Sequence, residues 1–391
     1  MYKVLTLNNI SPEGLKLLPG DQYEVGDEVE NPDAILLRSY KMHDQDWPDT
    51  VKAVARAGAG VNNIPLDEFT KRGVPVFNAP GANANAVKEL VVGGMLLAAR
   101  NLAQAAEYTQ ALEGEGDELN KKVEAGKKKF VGYELPGRTL GVIGLGAIGV
   151  LVANAAHALG MKVIGFDNFI SVQNAWQLSA GVKQARSIDE VFRNADMITV
   201  HVPLLDDTKG IVNAARIATM NENGVVMNFA RGGIVDDAAV LASLEAGHLG
   251  RYVTDFPARE LLGNDKVIAL PHLGASTYEA ESNCAVMVAQ NMREYLENGS
   301  IRHSVNFPEA DMPRTTESRI TIANENVPNM VAQISTCLAD AGLNVEDLLN
   351  KSRGDIAYTI VDLNGPVPAE TLDAIRGIDG VINVRCLGQC G

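Results

Sequence analysis

Basic residues are in short supply in this 391-residue chain: 34 Lys and Arg stand against 49 Asp and Glu, for a formal net charge of −15. That balance argues against nucleic acid or an anionic membrane as a partner, and an anionic substrate would need a local basic pocket. Cysteine is scarce too, with Cys284, Cys337, Cys386 and Cys390 only. Cys386 and Cys390 lie close together near the end, but no His-rich or Cys-rich partner completes a zinc set. No metal is therefore expected, and free thiols in a cytoplasmic protein are the reading. Long apolar runs are missing as well; the most apolar, residues 90–99, is too short to span a bilayer. The opening Met-Tyr-Lys-Val-Leu-Thr-Leu reads as a first strand, without the charged and apolar regions of a signal peptide.

Glycine, by contrast, is plentiful, and its placement carries the first functional signal. Residues 141–149 read Gly-Val-Ile-Gly-Leu-Gly-Ala-Ile-Gly, a G-x-G-x-x-G turn. With 37 glycines a random chain would show that pattern about 0.3 times, so the motif needs its context. The context is present. Residues 139–143 form a short apolar run suited to a strand covered on both faces, and residues 150–159 form an Ala-rich helix stopped by Gly160. Gly144 permits the turn, Gly146 lets a phosphate approach the backbone, and Gly149 lets helix and strand pack closely. The first helical residues, Ala147 and Ile148, offer unpaired N–H groups to a pyrophosphate. A second strand, 162–166, ends at Asp167, placed to accept hydrogen bonds from a ribose 2′-OH and to repel a 2′-phosphate; no Arg follows it closely, so NAD is expected over NADP.

Strand-like runs alternate with helical ones for about 270 residues, the pattern of α/β domains with parallel sheets. Strands are expected at 4–7, 34–37, 51–56 and 74–77, followed by a helical stretch from 86 to about 112 and a charged surface segment over 113–130. After the dinucleotide unit come strands at 197–202, 225–229, 252–254 and 267–270. Residues 301–317, with two prolines and weak periodicity, suit a linker. The last 74 residues change pattern to βαββαβ, the order of a small ferredoxin-like module.

Ligands of open α/β sheets bind at the carboxyl ends of the strands, so polar residues just after strands are the candidates. These are Arg231, Asp255 with Glu260 five residues on, and His272, with Asp167 and His201 on the same edge. Hydride transfer from an alcohol carbon to NAD needs an acceptor for the hydroxyl proton, and His suits that near neutral pH. A carboxylate beside the His would favour the imidazolium, and a guanidinium would hold a carboxylate or polarise the forming carbonyl. Arg231, Glu260 and His272 supply one of each. His201 has no charged partner in sequence and reads as lining the cofactor cleft. Arg231 has the strongest single case, standing in a glycine turn between strand and helix.

Six ordered stretches, RAGAGVNNI, GANANAVKELVVGGML, LPGRTLGVIGLGAIG, HVPLLDDTKG, NFARGGIVD and PHLGAST, make the chain similar to the D-isomer-specific 2-hydroxyacid dehydrogenases over nearly its whole length. The resemblance implies two doubly wound parallel-sheet domains, the cofactor domain (96–284) being inserted in a substrate domain (1–95 and 285–305), with substrate bound in the cleft between them. A linker (306–317) would lead to the tail (318–391), which resembles an ACT domain. It implies Arg231, Glu260 and His272 as the catalytic set, Asp255 at the nicotinamide amide, and His201, Pro203 and Ala230 along the cofactor. The substrate carboxylate would meet backbone N–H groups of the turn Gly58-Ala59-Gly60-Val61, with Gly60 and Val61 foremost and Asn83 nearby. Arg38 with Ser39, or Lys41, or a basic group of a neighbouring subunit, would meet a phosphate. The stretch DFPARELLG keeps the Asp-to-Glu spacing but moves a proline found elsewhere in the family. The tail carries Asn324, Asn326 and Asn344 at positions that hold an amino acid such as L-serine in related modules, with Asn324 in place of a His and Asn329 in place of a Gly. The expected reaction is NAD-dependent oxidation of D-3-phosphoglycerate to 3-phosphohydroxypyruvate by a homodimer or homotetramer. The alternatives are another 2-oxo acid (glyoxylate, hydroxypyruvate or 2-oxoglutarate) and an NAD(H)-sensing binding protein.

Overall fold

The computed structural model describes residues 1–391, which divide into two units, Met1–Asn83 with Tyr278–Gly391, and Ala84–Thr277. In the first unit β1 (Tyr2–Leu7), β2 (Tyr23–Gly26), β3 (Ala34–Leu37), β4 (Ala53–Arg56) and β5 (Val76–Phe77) form a parallel sheet in the order β2-β1-β3-β4-β5. Alternate residues feed two cores. Ile35, Leu37, Val54 and Val76 pack with Phe69 on one face; Val4, Leu36, Ala55 and Phe77 pack on the other against Cys284, Val288 and Met292 of the helix Tyr278–Asn298. The order reverses between β1 and β3, and Asn8 ties that point together: its Oδ1 accepts from the N–H groups of Ser39 (2.9 Å) and Tyr40 (2.6 Å).

The second unit carries β6 (Thr139–Ile143), β7 (Lys162–Phe166), β8 (Val182–Gln184), β9 (Met197–Val200), β10 (Gly224–Asn228), β11 (Leu249–Thr254) and β12 (Val267–Ala269). All are parallel, in the order β12-β11-β10-β9-β6-β7-β8. Strand order reverses between β6 and β9, which puts the glycine turn after β6 at the switch point of a doubly wound sheet. Two short edge strands, β2 and β8, carry no apolar run that sequence could flag. The helical stretch expected as one piece is two, Ala84–Arg100 and Leu102–Gln110, broken where Asn101 takes a left-handed φ of 51°. Asn101 Oδ1 there accepts from Arg251 Nη2 at 2.8 Å. No helix is long and apolar enough to cross a membrane.

The C-terminal residues form β13 (Ser318–Glu325), β14 (Val345–Arg353), β15 (Ile356–Leu363) and β16 (Val381–Gly388), an antiparallel sheet in the order β14-β15-β13-β16. Helices Met330–Asp340 and Ala369–Arg376 cover one face through Ile334, Leu338, Leu372 and Ile375. On the other face Ala323, Tyr358 and Ile360 pack into the core of the rest of the first unit, while β14 stays mostly exposed. Arg319 forms an ion pair with Asp362, both fully buried, and also donates to the carbonyls of Asn298, Met312 and Pro313. Arg385 donates to the Tyr295 and Leu296 carbonyls and Tyr358 to that of Gly299, so the last turn of helix Tyr278–Asn298 is capped by this sheet.

Three expectations change accordingly. Residues 306–317 are not a loose linker: Phe307 and Ala310 are buried, and Ala310 exchanges backbone hydrogen bonds with Ile301. The chain leaves the first unit at 83–84 and returns at 277–278, where 95 and 285 were expected, because helices Ala84–Arg100 and Tyr278–Asn298 each stay whole within one unit. Cys386 and Cys390 are not free thiols but a disulfide. Gly388, at φ 95°, turns the chain after β16, and Cys390 then pairs with Val367, which brings the two Cα atoms to 6.1 Å.

Candidate active site

In the second unit the glycine turn has the geometry a dinucleotide needs. Gly144 sits at φ 91°, and a Cβ there would lie 2.6 Å from the His201 carbonyl oxygen. A Cβ on Gly149 would lie 1.9 Å from the Gly144 carbonyl oxygen, whereas Gly146 faces open space. Helix Ala147–Ala158 has no side-chain cap, and its first backbone bond is made by Val150, so the N–H groups of Ala147, Ile148 and Gly149 have no intrahelical partner. Asp167, after β7, accepts from Leu145 N and Phe169 N, both at 2.7 Å, which fixes the carboxylate beside the turn. These residues fit a bound dinucleotide.

His201 follows β9 with its imidazole nitrogens out of water: Nε2 meets Thr199 Oγ1 at 3.0 Å, and Nδ1 has no partner. Burial pushes its pKa down to about 3, so it stays neutral and is no acid–base group near pH 7. Pro203 is exposed in the loop beyond.

After β10, the buried Asn228 shapes the next turn, accepting from Ala230 N (3.1 Å) and donating to the Arg231 carbonyl (2.8 Å). The Arg231 guanidinium makes no ion pair and lies 5.8 Å from the centre of the Phe256 ring. That ring also meets the exposed His272 imidazole, at 4.5 Å. Between these two loops lies Asp255, 1% exposed, neither of its oxygens holding a hydrogen bond of normal geometry. Burial pushes its carboxyl pKa up, opposed by nearby His272 and by the Gly274 and Leu273 amides. A buried carboxylate with unpaired oxygens is an acceptor awaiting a donor.

Glu260 does not join this group. It is exposed on the one-turn segment Arg259–Leu261, forms no ion pair with His272, and lies close enough to Asp237 to help raise that carboxyl, after the larger effect of Asp237's own burial.

In the first unit, Arg38 follows β3 and Arg56 ends β4. Arg56 donates to the Arg38 carbonyl (2.9 Å) and to the Gly60 carbonyl, and Asn78 donates to the Ala59 carbonyl at 2.6 Å. Since C=O and the following N–H point opposite ways in a trans peptide, the Gly60 and Val61 N–H groups are turned away from Arg56 and Asn78. Neither meets a partner within the protein. Ser39 is exposed with its N–H held by Asn8, and Asn83, half-buried, precedes helix Ala84–Arg100. Sequence reasoning missed Asn8, Arg56, Asn78 and Phe256; only the glycine-rich neighbourhood of Arg56 hinted at a role.

In the C-terminal sheet the three asparagines do not converge. Asn324 is buried in β13 opposite Ala357, and Asn326 closes the β14–β15 turn by donating to the Gly354 carbonyl at 3.0 Å. Asn344 precedes β14, whose first residue pairs with Leu363 at the other end of the sheet. Asn329 takes the left-handed φ of 72° that a glycine would hold at little cost.

Residues 92–274 match the family model for the D-isomer specific 2-hydroxyacid dehydrogenase, NAD binding domain. The chain is similar to the D-3-phosphoglycerate dehydrogenase of Methanocaldococcus jannaschii, 34% identical over 384 residues, covering 93% of this chain and 70% of that one. It is similar also to the enzyme of that name from Haemophilus influenzae, 33% identical over 390 residues, covering 95% and 90%. Among solved structures, the NAD+-bound 3-phosphoglycerate dehydrogenase of Entamoeba histolytica matches with a TM-score of 0.60 at 25% identity, covering 78% of this chain and 98% of that one.

Proposed function

The chain belongs to the D-isomer-specific 2-hydroxyacid dehydrogenase family, and from that premise we propose that it oxidises D-3-phosphoglycerate to 3-phosphohydroxypyruvate with NAD. The observation that carries the choice of substrate is the sheet edge of the first unit. Adjacent strands β3 and β4 present two separate anion receptors there, the Arg38 guanidinium and the outward N–H groups of Gly60 and Val61. Strands about 4.8 Å apart suit a small acid carrying a carboxylate and a phosphate. Glyoxylate, with a single anionic group, would leave one receptor unused.

Gly144, Gly146, Ala147, Ile148 and Gly149 are the proposed pyrophosphate cradle, Asp167 the ribose acceptor, Asp255 the acceptor for the nicotinamide amide, and His201, Pro203 and Ala230 the walls. The bound nicotinamide supplies hydride acceptance. His272 takes the hydroxyl proton as the C2 hydride leaves, and Arg231 holds the carboxylate end and stabilises the oxygen of the forming carbonyl. Glu260 is proposed as the carboxylate that steadies the imidazolium. Catalytic hydrogen bonds tighten in the ternary complex, and Glu260, unpaired on a one-turn segment, is able to make that approach. At the C-terminal sheet an amino-acid effector such as L-serine, held by both Asn326 and Asn344, needs two chains, since one chain keeps them at opposite ends; this supports a homodimer or homotetramer.

The test is NADH oxidation with 3-phosphohydroxypyruvate beside glyoxylate, hydroxypyruvate and 2-oxoglutarate at equal concentration. A clear preference for the phosphorylated acid is expected, and equal or better rates on another acid would overturn the substrate.

A further inference from the structure

Arg38 is already occupied. Its Nη2 lies 2.8 Å from Oε1 of Glu281, in the first turn of helix Tyr278–Asn298, where a carboxylate is favoured by the helix dipole. The two side chains are 37% and 40% exposed, so the pair stands at the rim in contact with water. The backbone of Arg38 is fixed, its carbonyl accepting from Arg56 Nε and Asn63 Nδ2, and Ser39 and Tyr40 are held by Asn8. A second guanidinium is close: the buried Cys284 thiol, one turn beyond Glu281, feels both Arg38 and Arg56. Glu281 is thus the carboxylate paired with Arg38, beside a second guanidinium.

We propose that Glu281 is the resident counter-anion of the Arg38 subsite, displaced by the dianionic phosphate of the substrate, and so a residue that sets how tightly the subsite holds an anion. The proposal rests on the reading of Arg38 as the phosphate receptor. Exchange of one monoanion for another gains no Coulomb energy beside two guanidiniums, whereas exchange for a dianion does. The cost of displacing a half-exposed pair is small, about one- to fivefold in binding, so Glu281 taxes every ligand modestly.

The experiment compares Glu281→Gln, which keeps the shape and removes the charge, with Glu281→Asp and Arg38→Ala in the full-length protein, with thermal unfolding as a check of folding. Measured are KM for 3-phosphohydroxypyruvate and for hydroxypyruvate, and Ki for inorganic phosphate and for acetate. Glu281→Gln is expected to lower KM for the phosphorylated acid and Ki for inorganic phosphate about two- to fivefold. Acetate becomes a better inhibitor in the same variant, while Glu281→Asp keeps the parent pattern. An unchanged or raised KM for the phosphorylated acid in Glu281→Gln, with Arg38→Ala raising it, overturns the counter-anion and leaves the Arg38 assignment standing. If Arg38→Ala moves neither KM nor the phosphate Ki, both fall together.

Discussion

The Phe256 ring stands 4.5 Å from the His272 imidazole, centre to centre, with 49° between the planes. The same ring lies 5.8 Å from the Arg231 guanidinium, so one aromatic side chain sets two groups that no acid holds in place. Each contact contributes only about 0.5–1.5 kcal/mol. Their importance is positional: a displacement of about 1 Å at a reacting centre costs on the order of 100-fold in rate. Phe256→Leu keeps apolar bulk and removes the flat π surface. Its kcat/KM should fall about 10- to 100-fold while its NADH affinity, measured by calorimetry, stays near that of the parent. Parent-like kinetics would reduce Phe256 to a spacer.

His272→Ala tests the acid–base assignment directly. Loss of a general base costs about 10²- to 10⁴-fold in turnover, and the side chain is exposed, so little stability goes with it. Stopped-flow hydride transfer should show that loss with NADH still bound. A variant that still turns over would move the base to another residue.

Asp255 sets binding against stability. Its burial raises the carboxyl pKa, meaning the folded chain holds the proton more tightly than the unfolded one. The penalty for the charged form is present above the folded pKa and gone below the unfolded value. At pH 7, Asp255→Asn should therefore stabilise the fold by about 0.5–2 kcal/mol, read as a higher Tm, and weaken NADH binding because the anionic acceptor is lost. A lower Tm with unchanged NADH affinity would show the carboxylate to be structural.

How much of this was legible beforehand depends on the range of the contacts. The glycine turn and Asp167 could be read because a tight turn, a close phosphate approach and a strand end each demand a residue type at a fixed local spacing. Strands β3, β6 and β7 were readable to the residue because apolar runs bury both faces. Arg56, Asn8 and Glu281 were not, since each acts on a residue brought near only by folding; Glu281 reaches Arg38 from the far end of the first unit's split chain. Spacing placed Glu260 five residues after Asp255 but could not say which way a one-turn segment points it. The disulfide was missed because the pairing of Cys390 with Val367 lies outside any cysteine pattern.

The Arg319–Asp362 pair makes the last prediction, because both side chains are fully buried and bound twice, Nε to Oδ1 at 2.5 Å and Nη2 to Oδ2 at 2.8 Å. Burial alone would raise the Asp362 carboxyl, but the hydrogen bonds from Arg319 and Thr315 outweigh it and leave the pKa below the usual carboxylate range. A lowered folded pKa means that the pair's stabilisation is complete above the unfolded value of 3.8 and is lost as pH falls through the folded one. Arg319→Met leaves a buried charge without its partner and frees the Asn298, Met312 and Pro313 carbonyls, so it should cost about 3–5 kcal/mol. Arg319→Met with Asp362→Leu removes both charges and should recover much of that loss, because the desolvation penalty disappears with them. Thermal unfolding between pH 2 and 7 separates the cases: the parent should lose Tm steeply in acid, and the double variant should lose less. If the double variant is as unstable as Arg319→Met at pH 7, the three carbonyl bonds, rather than the ion pair, hold this sheet to helix Tyr278–Asn298 and to residues 312–313.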